Sequence, residues 1–206
     1  MTDLTVSCDC GAFEGVLHDV TPKAGFHVKC FCRDCQTFPW ALGKEASVLD
    51  DNGGTAIFQT STTRLSIQKG KDNLAALRLT PKGIFRWYAK CCNTPIGNTM
   101  PGATFSFVGL LKTALQTPAE GASVDAAIGP VRSAAFKKQA RGDIAEDYPG
   151  LTLSYALSMI GLLFGGAIRG EGKKSPFFSD GEPIAEPRLI DEAERSKISA
   201  RMDAAS

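Results

Sequence analysis

All seven cysteines fall into three tight groups: Cys8 with Cys10, Cys30 with Cys32 and Cys35, and the adjacent pair Cys91 and Cys92. The central run, Cys30-Phe31-Cys32-Arg33-Asp34-Cys35, has the pattern C-x-C-x-x-C. Thiolate sulfur binds zinc at about 2.3 Å in a tetrahedron. Two cysteines with two residues between them present both sulfurs to one ion from a tight turn. A C-x-C pair does so only where the backbone bends, because an extended strand carries residues i and i+2 on one side about 7 Å apart. The trio Cys30, Cys32 and Cys35 therefore reads as a loop wrapped around one ion. Three protein ligands leave a fourth position open, which marks a catalytic zinc rather than a structural one.

Two other cysteine chemistries compete. Disulfides need an oxidising compartment, and the start Met1-Thr2-Asp3-Leu4 lacks the basic and apolar regions of a secretory signal. A cytoplasmic location with reduced thiols is therefore expected, and an odd number of cysteines leaves a disulfide framework incomplete. A redox dithiol at Cys32 and Cys35 leaves Cys30 and the upstream pair unexplained.

A zinc ion held by three thiolates has room for a fourth sulfur, and the cation stabilises that sulfur as a thiolate near neutral pH. Such a thiolate attacks an aldehyde carbon or supports the reverse elimination. Heavy thiolate ligation weakens the metal as a Lewis acid, so holding and orienting sulfur is the expected role. Arg33 beside the trio offers a charge to an anionic thiol, although a solvated loop charge is the simpler reading. His27, in Phe26-His27-Val28-Lys29, is expected on a strand facing solvent rather than as a ligand. His18 sits in a polar turn region and suggests no role. The sequence contains no Ser/His/Asp arrangement, phosphate-binding loop or dinucleotide fingerprint.

The elements that must position these sulfurs are short strands. Leu4 to Ser7 alternates, Cys8 to Ala12 makes a knuckle-like turn, and Phe13 to Leu17 resumes the alternation. Phe26 to Lys29 leads as a strand into the trio. Thr37 to Gly43 reads as an aromatic loop beside the metal. Strands follow at 55–58, 63–68, 74–79 and 83–88, the last running into Cys91 and Cys92. The region to Gly97 is mainly β and ribbon-like, and metal ligation would offset a thin core. With 206 residues, 43% hydrophobic and 22% charged, the composition is that of an ordinary globular chain. A net charge of +1 gives no field to recruit nucleic acid.

Three motifs together resemble a known family. Cys8-Asp9-Cys10-Gly11, then Cys30-Phe31-Cys32-Arg33-Asp34-Cys35-Gln36, then Phe85-Arg86-Trp87-Tyr88-Ala89-Lys90-Cys91-Cys92-Asn93-Thr94-Pro95 are similar in order and spacing to the glutathione-dependent formaldehyde-activating family, which includes centromere-protein-V-like proteins. Ile67-Gln68-Lys69-Gly70 resembles that family's strand-then-glycine turn. The resemblance covers about half the chain. It implies a beta-tent, zinc-ribbon-like fold and one or two zinc ions: a reactive zinc at Cys30, Cys32 and Cys35, and a structural zinc at Cys8 and Cys10 with the downstream cysteines. The implied activity is of the carbon–sulfur lyase class, condensing formaldehyde with a small thiol, glutathione, to S-hydroxymethylglutathione. The alternative is a non-catalytic zinc-binding interaction module.

The chain departs from the family's last motif, C-x-x-C-G-T-P. Ala89 stands where the first cysteine belongs, and Asn93 replaces the glycine. Adjacent residues on a strand point to opposite faces, so either the turn is rebuilt and Cys91 substitutes, or Cys92 alone joins Cys8 and Cys10. On strand register, Cys91→Ser is expected to be milder than Cys92→Ser.

Residues 101–206 carry no cysteine and read as an extension packed on a zinc-binding core at 1–100. Val131 to Gln139 is a basic strand or short helix. Leu151 to Ile168 is uncharged and apolar, long enough to cross a bilayer, and Gly161 and Gly165 fit a small-residue helix-pairing motif. Thr152, Ser154, Tyr155 and Ser158 interrupt its first half. Basic residues flank both ends, Lys137, Lys138 and Arg141 before and Arg169, Lys173 and Lys174 after, so no orientation bias exists. A helix packed on the core or a partner is expected, with membrane association its rival. A charged last helix is expected over Leu189 to Met202.

Overall fold

The computed structural model describes residues 1–117, 121–144 and 147–205. In chain order the elements are β1 (Thr2–Ser7), β2 (Glu14–Val20), β3 (Phe26–Cys30), α1 (Arg33–Leu42), α2 (Glu45–Val48), β4 (Thr55–Thr60), β5 (Leu65–Lys69), β6 (Leu74–Arg78), β7 (Phe85–Ala89), β8 (Thr94–Thr99), β9 (Val108–Leu111) and β10 (Leu115–Gln116). They continue as α3 (Val124–Ile128), β11 (Ser133–Ala135), α4 (Leu153–Ile168), β12 (Phe178–Ser179), β13 (Glu182–Pro183), β14 (Arg188–Leu189) and α5 (Glu192–Ala204). The chain is mainly β, with helices in its C-terminal part.

A four-stranded sheet, ordered β10-β1-β2-β5, faces an eight-stranded sheet, ordered β11-β3-β4-β9-β8-β7-β6-β14. The large sheet is antiparallel except at its edges, where short β11 and β14 pair in parallel with β3 and β6. Short edge strands of this kind leave little template for pairing with another chain. Residues beyond 100 supply β9, in the middle of the large sheet, and strands at three edges.

Alternation places the core. Leu4 and Val6 of β1 and Leu17 of β2 point into the space between the sheets, where they meet Phe13, Trp87, Ile96 and Leu110. Trp87 is fully buried, stacks on Phe177 at 4.9 Å and donates its indole N–H to Thr99 Oγ1 at 2.9 Å. Phe38 of α1, with Ile198 and Met202 of α5, covers the other face of the large sheet over Leu77 and Leu111. Central β7 is thus buried on both faces, so Arg86 is as enclosed as its aromatic neighbours.

Three elements differ from expectation. Residues expected as an aromatic loop at 37–43 form most of α1. Pro39 removes the N–H that would bond the Cys35 carbonyl, and the Thr55 hydroxyl donates to that carbonyl at 3.3 Å instead. His27 is buried rather than solvent-facing. The apolar stretch is a helix, α4, but not a core helix. Its Leu153, Leu157, Ile160, Phe164 and Ile168 are exposed, and only Gly166 is buried. No helix among the described residues is long and apolar enough to cross a membrane.

Candidate metal centres

The first centre joins two turns. Cys8 directly follows β1, and its carbonyl accepts the N–H of Gly11, whose φ of 71° closes the knuckle. The Cys8 sulfur accepts the Phe13 N–H at 3.2 Å. Gly70 packs its backbone against the same knuckle, where an added Cβ would lie 2.0 Å from the Ala12 carbonyl oxygen. The opposing turn links β7 to β8 and carries Cys91 and Cys92; Asn93 turns it with φ 58°, which asparagine tolerates better than other non-glycine residues. The Asp9 N–H donates to Thr94 Oγ1 at 3.0 Å and ties the turns together.

The sulfurs of Cys8, Cys10, Cys91 and Cys92 all lie within 4.8 Å of one another. The closest pairs are Cys8–Cys10 at 3.6 Å, Cys8–Cys91 at 3.7 Å, Cys10–Cys91 at 3.4 Å and Cys91–Cys92 at 3.8 Å. A tetrahedron with 2.3 Å arms has edges of about 3.8 Å, so the group fits one ion. The turn is rebuilt and both adjacent cysteines face the cluster, because the chain has left β7 before Cys91 and strand alternation no longer applies. Without a cation such crowded thiols ionise unevenly. Desolvation, then hydrogen bonds with Cys10 and Cys8, pushes the Cys91 thiol up to about 12. Desolvation also opposes ionisation of Cys92, but hydrogen bonds from the Thr94 hydroxyl and the Cys10 N–H hold it at about 6.

The second centre is Cys30, Cys32 and Cys35, whose sulfurs also lie within 4.8 Å of one another. Cys30 is the last residue of β3, Cys32 is the N-cap of α1, and Cys35 stands in the first helical turn. The bend that a C-x-C pair needs is thus the strand-to-helix turn. Cys32 Sγ accepts the Cys35 N–H at 3.4 Å, and the N-terminal end of α1 favours negative charge on both sulfurs. No histidine or carboxylate among the described residues joins the trio. His27 is excluded by register: three residues from Cys30 on the same strand, it points to the opposite face and uses Nδ1 to bond the Gly129 carbonyl at 2.8 Å.

Arg33 does not face the site. Its guanidinium donates to Ser199 Oγ at 2.7 Å and pairs with Asp203 at 2.6 Å, clamping α5 onto α1. The cation that does serve the trio is Arg86, 3% exposed, lying over the Phe38 ring and donating to Asn98 Oδ1 at 3.3 Å. Hydrogen bonds from Cys30 and Cys32, then the charge of Arg86, hold the Cys35 thiol well below its usual range. Hydrogen bonding with Cys32 and Cys35, with burial added, pushes the Cys30 thiol up. No carboxylate pairs with Arg86 among the described residues. Sequence reasoning missed it because an arginine in an aromatic strand gives no sign of which face it takes.

A protein-family model, described as a family of unknown function (DUF6151), matches residues 2–188 and so spans both centres. The chain belongs to DUF6151. Among curated proteins the DUF6151 chain finds no match. Among solved structures it is similar to a crystal structure of a Rhodobacter sphaeroides protein from a structural-genomics effort, with a TM-score of 0.42, 15% identity, and coverage of 64% of this chain and 98% of that one.

Proposed function

We propose that this protein is a zinc enzyme of the carbon–sulfur lyase class that joins or separates a small thiol and an aldehyde at Cys30, Cys32 and Cys35, with a second zinc at Cys8, Cys10, Cys91 and Cys92 serving the fold. One observation carries the reading: three sulfurs converge without a fourth side-chain ligand among the described residues, and Cys30 and Cys35 line a pocket. A divalent ion there would lower the pKa of a thiol brought to it. The chain's own residues do the rest. The trio fixes the place of reaction, and the α1 N-terminus and Arg86 balance the negative charge that the trio carries. The pocket walls exclude water from the reacting groups. In the joining direction the thiol sulfur attacks the aldehyde carbon, a carbon–sulfur bond forms, and the carbonyl oxygen gains the proton that the thiol lost. The separating direction reverses each step. Glutathione and formaldehyde are the pair that the family resemblance implies, and a cytoplasmic setting would keep the sulfurs reduced.

The exposed apolar face of α4 favours a second reading, a non-catalytic zinc module that docks a partner. Cobalt substitution separates the two. An enzyme with an open position changes its visible spectrum when a thiol is added. A spectrum indifferent to every thiol tried indicates a fourth protein ligand and the module.

A further inference from the structure

The pocket against Cys30 and Cys35 has a volume of about 320 Å³, room for roughly ten water-sized groups of ~30 Å³ each. Its walls include Val28, Ile57, Ile84, Phe107, Ala135 and Tyr155, and no lysine, arginine, histidine, aspartate or glutamate among the described residues lines it. Its two amides are partly engaged within the protein: Gln59 Oε1 accepts the Tyr155 hydroxyl at 2.7 Å, and Asn98 Oδ1 accepts Arg86. Phe136 and Leu151 also line the pocket although both are largely exposed, so its mouth is apolar too. Phe136 holds a φ of 58°, a conformation a bulky residue adopts only when the surrounding turn imposes it.

A one-carbon aldehyde would leave nearly all of this volume unfilled. A tripeptide thiol would bring two carboxylates and an ammonium group into walls that hold no lysine, arginine, aspartate or glutamate to pair with them, and buried charge without an ionic partner is strongly disfavoured. We infer that the pocket holds the hydrocarbon group of an uncharged, apolar aldehyde several carbons long, its carbonyl carbon toward the trio, with any charged part of the thiol left outside. This rests on the proposed thiol–aldehyde reading and changes its aldehyde. The reaction balances as before: the thiol S–H and the C=O π bond are replaced by C–S and O–H bonds, and nothing is oxidised or reduced.

The test is calorimetric titration of the zinc-loaded full chain with straight-chain primary alcohols from butanol to octanol, uncharged and unreactive stand-ins for the aldehydes. Affinity should tighten about fourfold per methylene until the pocket is full, the factor that about 0.8 kcal/mol per buried methylene gives. Ile84→Asp, in the loop before β7, should weaken octanol at least about tenfold, as burial beside an unpaired charge requires, with zinc per chain unchanged. Ala135→Leu, which fills the pocket with apolar volume, should shorten the chain length at which affinity stops rising. Affinity independent of chain length, full octanol affinity in Ile84→Asp, or displacement of octanol by glutathione alone would each overturn the inference. Zinc per chain reads the other claim separately: steep length dependence in a chain whose trio binds no zinc retains the apolar pocket and removes the lyase.

Discussion

The sulfurs of Cys10 and Cys91 lie 3.4 Å apart although 81 residues separate them in the chain. Cys91 also approaches Cys8 and Cys92 at tetrahedral-edge distances, so it belongs to the centre as fully as its neighbour. Cys91→Ser and Cys92→Ser should therefore each remove about one zinc per chain and lower the melting temperature by similar amounts, ~10 °C for the loss of a structural ion in a chain of this length. Elemental analysis with thermal unfolding checks this. A Cys91→Ser protein that keeps its full metal would return Cys91 to the bystander role that strand register alone assigns it.

Cys32 and Cys35 should respond differently to the same change. Cys32 is an N-cap whose sulfur accepts the Cys35 N–H, and serine is a preferred residue at that position. Cys32→Ser should cost one zinc equivalent while leaving the metal-free protein about as stable as metal-free wild type. Cys35→Ser removes the anionic partner of buried Arg86 and should destabilise the metal-free protein by about 3 kcal/mol. Urea unfolding of both variants in chelator measures the difference, and equal midpoints would mean that Arg86 does not depend on Cys35.

These contrasts show what the sequence made legible. The trio was readable because C-x-C-x-x-C is narrow chemistry, and the strands were readable where Leu4, Val6 and Leu17 alternate. Cys91 was not, because the register argument extends the strand through Cys91 and Cys92, whereas β7 ends at Ala89. Nor was α1: Pro39 argues against a helix until Thr55, twenty residues from Cys35, is seen to satisfy the freed carbonyl. Arg33 and Arg86 exchanged roles for the same reason. Sequence proximity put Arg33 beside the trio, whereas tertiary packing turned it to α5 and brought Arg86 from the neighbouring layer.

His27 gives a pH dependence that can be isolated from metal release. Its Nε2 is buried with no hydrogen-bond partner among the described residues. Burial lowers its pKa below 6.5, the Gly129 carbonyl opposes, and the charges of Lys112, Asp125 and Lys29 act with mixed sign. The folded chain thus resists a proton that the unfolded chain accepts. The contribution is complete above about pH 6.5 and is lost as pH falls through the lowered folded value. His27→Asn, whose amide can reproduce the bond to Gly129, should flatten the slope of urea midpoint against pH between 7.5 and 5.5 relative to wild type. Identical slopes would place the acid sensitivity elsewhere, in the cysteine centres.

Helix α4 is held near both its ends, and substitutions should divide accordingly. At its N-terminal end Tyr155 meets Phe26 edge-on at 5.7 Å and bonds Gln59. At its C-terminal end Gly166 lies against buried Ser106, where an added Cβ would stand 2.9 Å from the serine Cβ. Gly166→Val must push the helix end away and should cost ~1–3 kcal/mol, the usual range for overpacking. Leu157→Glu changes a side chain that is already exposed and should move stability by less than ~0.5 kcal/mol. Urea midpoints measure both. If Leu157→Glu proves the costlier change, the outer face of α4 is already covered in solution, and sedimentation of wild type against the variant would then show a larger species lost on substitution.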